Sequence, residues 1–133
     1  MPLLIDQGEE KLIKRDLIDA NAADIAWSDI TDIEFQLVRK GLVRYTFSKS
    51  AGSVTEATTG VEFELSPTVT EDYVAGTYDL RAKITVDDSR FPTAETQDIQ
   101  TQKNWAIVLG EGDEATGDTD SVETNTIQFK VIP

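Results

Sequence analysis

Apolar and polar residues alternate with a period of two along most of this chain. Residues 77–86, TYDLRAKITV, set Tyr78, Leu80, Ala82, Ile84 and Val86 on one side and Thr77, Asp79, Arg81, Lys83 and Thr85 on the other. That is the pattern of a strand with one face in a core and one in water. VEFEL (61–65) repeats it, with Val61, Phe63 and Leu65 opposed to Glu62 and Glu64. In TDIEFQLVRKGLVRYTF (31–47) two alternating runs, Ile33, Phe35, Leu37 and then Val43, Tyr45, Phe47, flank RKGL. Gly41 can take the positive φ of a tight turn there, which predicts a β-hairpin. NTIQFKVIP places Ile127, Phe129 and Val131 on one face of a final strand, 125–132. KNWAIVLG (103–110) is a continuous apolar run, expected of a strand covered on both sides. EKLIKRDLID (10–19) reads as a strand with a helix as the alternative, although no good cap precedes it.

The connections carry turn chemistry. SKSAGSVTEATTG (48–60) is a polar hairpin excursion. In SPTVTEDYVAG (66–76), Ser66 as N-cap and Pro67 at the first helical position predict one short helical turn near 67–73, closed by Gly76. Residues 87–102 and 111–123 read as two long loops. Neither an internal repeat nor a heptad occurs. These elements predict an all-β chain, an antiparallel immunoglobulin-like sandwich of about seven to eight strands in a single domain, 1–133. Its core is expected to contain Trp27, Phe35, Tyr45, Phe63, Tyr78, Leu80, Ile84, Trp105 and Phe129.

Composition narrows the chemistry. There are 25 acidic residues against 12 basic, a net charge of −13 over 133 residues. Such a charge repels phosphates, so neither nucleic acid nor an anionic membrane is expected as a partner. Cysteine is absent, so the sheets must hold without a disulfide and no thiolate nucleophile exists. Histidine is absent too, which removes Ser-His-Asp and Cys-His arrangements and the usual zinc sites. MPLLIDQGEE lacks the basic and apolar segments of a secretory signal, and no run approaches the ~20 apolar residues of a membrane helix. The expectation is a soluble product that stays in the cell or leaves it by lysis.

Candidate sites are few. GDTDSVE offers Asp118, Asp120 and Glu123 as hard oxygen ligands for calcium. An EF-hand loop needs an oxygen ligand at position five and glycine at six; Val122 and Glu123 stand there, so a solvated acidic loop is the better reading. Paired carboxylates for glycoside hydrolysis need one acid in a dry setting, whereas Glu34, Glu62, Glu64 and Asp79 all fall on polar faces. Neither a G-x-S-x-G elbow nor a glycine-rich phosphate loop is present. No enzyme activity and no cofactor are expected. A glycan-binding surface would require Trp27, Tyr73 or Trp105 on an exposed face, against the ordinary use of such residues in packing.

QGEEKLIKRDLIDANAADIAWSDITDIEFQLVRKG resembles the opening of the immunoglobulin-like modules of tailed-phage structural proteins, and GVEFELSPTVTEDYVAGTYDLRAKITV is similar to their second half. In those modules a strand leads to a short helical turn, then to an AGTY lead-in and a long alternating strand. The resemblance covers residues 7–86 and the final strand, and is nearest to the N-terminal domain of phage upper baseplate proteins. The two late loops, and an end after one module, depart from that pattern. The resemblance implies a non-enzymatic virion component, made in the host cytoplasm and carried in the particle. It would act as an adaptor or decoration in the tail, baseplate or capsid, with other virion proteins as partners and several copies or a homo-oligomer. A carbohydrate-binding or host-surface adhesion module is the alternative. Within the first late loop Phe91 and Ile99 are the expected docking residues. The second, with six carboxylates and no base, is expected to repel wrong contacts.

Overall fold

The computed structural model describes residues 3–6, 10–57, 60–66, 73–87, 95–109 and 120–129. Among them nine strands form two sheets that pack face to face. The strands are β1 (Leu3–Asp6), β2 (Glu10–Ile18), β3 (Ile30–Arg39), β4 (Leu42–Ser48), β5 (Val54–Glu56), β6 (Val61–Leu65), β7 (Gly76–Asp87), β8 (Glu95–Leu109) and β9 (Asp120–Gln128). One sheet has the order β1-β8-β7-β3-β4 and the other β5-β6-β2-β9. A 3-10 turn, Trp27–Asp29, leads into β3. The fold is an all-β sandwich.

Alternation decides which face each strand buries. Tyr78, Leu80, Ala82, Ile84 and Val86 of β7 are buried, as are Ile33, Phe35 and Leu37 of β3 and Val61, Phe63 and Leu65 of β6. The sheets meet through aromatic stacking, with ring centroids 4.7 Å apart for Phe35 and Phe63 and 5.0 Å for Phe47 and Phe63. Trp105 and Phe129 complete the predicted core. Trp27 and Tyr45 are only half-buried and pack against it. The hairpin at RKGL forms as expected. Lys40 (φ 53°) and Gly41 (φ 76°) both take positive φ between the paired Arg39 and Leu42, the two-residue turn whose twist suits a hairpin.

Several expectations are corrected. The sheets are mixed rather than antiparallel: β1 runs parallel to β8 and β2 parallel to β9. Alternation specifies a strand's faces, not its direction, and both parallel pairs join segments distant in sequence. The first late loop is largely strand. Asp87 ends β7, and 95–102 form the first half of β8, laddered to β7 from Glu95–Asp87 to Gln102–Leu80. Residues 120–123 likewise belong to β9, so the final strand begins at Asp120 rather than 125 and ends at Gln128. The strand expected at 10–19, by contrast, forms as β2 (Glu10–Ile18). Val43 is exposed, because a bulge at Arg44 pairs it with Val38 on the outer face. The predicted helical turn and the remaining loop residues, including Phe91 and Asp118, lie outside the described residues. Only Tyr73 of the turn is described, and it is buried without regular structure.

Candidate functional site

β2 lies in the middle of its sheet, and its alternation buries Lys11 and Arg15 along with Ile13 and Leu17. The Arg15 guanidinium sits 5.9 Å from the centroid of Trp105 across the sandwich, and its Nη1 donates to the Lys14 carbonyl at 2.9 Å. The weakly hydrated, planar guanidinium tolerates such a place between an indole and backbone carbonyls. Sequence reasoning saw only a charged, ambiguous segment here. Burial of Arg15 at 0 % exposure serves the packing of the two sheets and offers no reactive group to solvent.

All three tyrosines gather at the end of the sandwich that carries the β3–β4 turn. Tyr45 and Tyr73 stack at 4.0 Å, and Tyr78 lies 6.4 Å from Tyr45 and 6.1 Å from Tyr73. The Tyr78 hydroxyl donates to the Val74 carbonyl at 2.6 Å, pinning the chain where it turns into β7. Burial, with Tyr45 and Tyr78 alongside, pushes the Tyr73 phenol far above its ordinary range. Burial and Tyr45 raise Tyr78 as well, against the opposing pull of Arg39, Arg44 and the bond to Val74. The Arg39 side chain covers Gly76, where a Cβ would meet its Nε at 2.7 Å. These tyrosines are structural, and Tyr73 and Trp105 are both too buried to form a glycan platform. Trp27 is half-buried beneath Lys49, whose Nζ lies 4.2 Å from the ring centroid and donates to the Ile30 and Trp27 carbonyls at 2.6 and 3.2 Å.

Clefts open on the described surface between and beside the sheets. One of about 260 Å³ lies between Leu80, Ala82 and Gln100 of one sheet and Thr126, Ile127 and Gln128 of β9, with no ionisable lining. A second, about 310 Å³, includes Asp24, Trp27 and Glu56; a third, about 430 Å³, includes Glu62 and Glu64. Asp24, Glu56 and Glu64 are exposed and Glu62 is 3.9 Å from Lys14, so the acids of these clefts sit in water. Proton transfer from a desolvated carboxyl has no candidate among them. No group of three metal-ligating side chains occurs among the described residues. Asp120 and Glu123 fall on β9 rather than in a loop.

No family model, curated protein or solved structure matches the chain. The surface itself is what remains to be read. β9 and the first half of β8 lie in the two facing sheets, with Gln100–Gln102 and Thr126–Gln128 on either side of the first cleft. Among the described residues β9 is laddered to β2, and residues 95–102 of β8 are laddered to β7. β1 covers β8 only at Ala106–Leu109. Ile99, predicted as a docking residue in a loop, stands on this strand and is 53 % exposed. Where β8 bends away, Asp79 secures the bulge. Its carboxylate accepts the Asn104 N–H at 2.8 Å and pairs with Lys103 at 3.3 Å, while Asn104 takes φ 51°.

Proposed function

We propose that this protein is a non-enzymatic structural module of a tailed-phage particle, an adaptor or decoration that joins neighbouring virion proteins in several copies. The sequence resemblance to the immunoglobulin-like modules of phage structural proteins supports the setting. Strand order supports the immunoglobulin-like type. The run β8-β7-β3 corresponds to strands G, F and C, with β4 beside C, and β5-β6-β2 to D, E and B. The observation that carries the reading is the Tyr78–Val74 hydrogen bond at the start of β7. It is similar to the tyrosine corner at the start of strand F in immunoglobulin domains, where the hydroxyl bonds to backbone a few residues upstream, and so supports that type. Leu80 follows two residues later, at the place of the second cysteine of antibody domains, and it is buried at 2 % exposure. Packing therefore does here what a disulfide does there. The parallel β9 beside β2 adds a strand to that plan.

The solvated acids of the described clefts support a binding rather than a chemical role. Mass spectrometry of purified virions tests the function. The protein is expected at a stoichiometric level beside the structural proteins, and its confinement to the cytosol of infected cells would overturn the proposal.

A further inference from the structure

The β3–β4 hairpin carries a charge unlike the rest of the chain. Residues 35–48, FQLVRKGLVRYTFS, hold three bases, Arg39, Lys40 and Arg44, and no acid, whereas the remaining residues hold all 25 acids against nine bases. At its tip Leu42 is 58 % exposed and Val43 43 %, the one adjacent pair among the exposed large apolar residues of the described surface. The bulge at Arg44 turns Val43 outward, and the two-residue turn at Lys40 and Gly41 fixes the tip. Apolar residues side by side at the centre with charges around them have the make-up of an interface.

The far end of β4 borders a feature of the opposite kind. The cleft of about 430 Å³ has Leu12, Phe47 and Phe63 in its wall and Glu62 and Glu64 beside them. Glu64 is exposed and stands opposite Leu12 in the β2–β6 ladder, so an acidic and an apolar side chain share that stretch of surface. We infer that Leu42 of one copy seats in this cleft of a second copy, with Val43 at its margin and Lys40 and Arg44 against Glu62 and Glu64. Charge selects the occupant, since the acid-free part of an acidic chain meets a cleft bordered by carboxylates. A chain cannot fill its own cleft this way, because Leu42 and Phe47 are held about 16 Å apart along one strand. The two surfaces differ, so the contact is heterologous and runs head to tail, into a ring where the rotation closes and a filament where it does not. It rests on the several-copy part of the proposed function, but self-association of the pure protein and its presence in virions are measured separately.

Sedimentation of the full chain over a concentration series is expected to show masses that grow past the monomer. Leu42→Asp on the tip and Glu64→Arg at the cleft should each weaken this association at least about tenfold. Both positions are exposed, so the far-UV spectrum and melting temperature should be retained. Mixing the two variants tests the head-to-tail geometry. Each keeps the surface that the other has lost, so the tip of the Glu64→Arg chain can fill the cleft of the Leu42→Asp chain. A one-to-one dimer that grows no further is expected, with the affinity of the unsubstituted contact. A chain that stays monomeric throughout the series, an association indifferent to either substitution, or a mixture no larger than the separate variants would overturn the inference. Association as described, in a protein missing from purified virions, would uphold it and overturn the proposed function instead.

Discussion

Replacing Tyr78 by phenylalanine removes one hydroxyl and leaves the buried ring in place. The lost bond is short, 2.6 Å to the Val74 carbonyl, and it ties the turn before β7 to the tyrosine cluster. A net hydrogen bond of this kind contributes about 0.5–1.5 kcal/mol, and stranding a buried acceptor costs about 1–3 kcal/mol. Val74 is 56 % exposed, so water can reach its carbonyl and the lower range applies. A loss of about 1–1.5 kcal/mol is expected. Unfolding entropy near 2.1 cal/mol/K per residue gives about 0.28 kcal/mol/K for a chain of this length, so the melting temperature should fall by about 4–5 °C. Thermal and urea unfolding followed by circular dichroism measure both quantities, and the urea slope should be unchanged because the same surface is exposed. A fall under about 1 °C would refute the anchoring role, and one beyond about 10 °C would mean that ring packing, not the bond, dominates.

Gly60 takes φ 72°, and a Cβ there would press on the backbone carbonyl of Arg15 in β2. Gly60→Ala should therefore cost at least ~2 kcal/mol, from the left-handed conformation and the displaced ladder together, measured as a lower urea midpoint. Alkaline pH should unfold the protein through its tyrosines. In the unfolded chain they ionise near pH 10, whereas folded Tyr73 and Tyr78 hold their protons to higher pH. Stability is then complete below about pH 10 and declines above it, by up to ~1.4 kcal/mol per pH unit for Tyr73, with Tyr78 acting in the same direction. Phenolate absorbance should rise together with loss of the β spectrum; titration of all three tyrosines near pH 10 in a still-folded protein would contradict the burial argument.

Much of the architecture is local and therefore legible in the chain. A period of two states which side of a strand is wet, so the faces of β3, β6 and β7 and most of the core could be read without coordinates. Gly41 announced the β3–β4 turn, because few residues accept its φ. What the pattern lacks is direction and neighbour. Nothing in EKLIKRDLI says that β9 will run parallel to it, or that Arg15 will share the core face with Ile13 and Leu17. The buried parity comes from the two flanking strands, and the arginine follows its neighbours inside. Val43 shows the same limit, since one bulged residue moves it to the other face. ETQDIQTQ shows it for the candidate site. It has no apolar face to alternate, so it reads as a loop, and only the ladder to β7 makes it a strand. Ile99 could be singled out in advance as an apolar residue among polar ones. Its place on β8, opposite Lys83 and exposed on the outer face, is set only by that ladder.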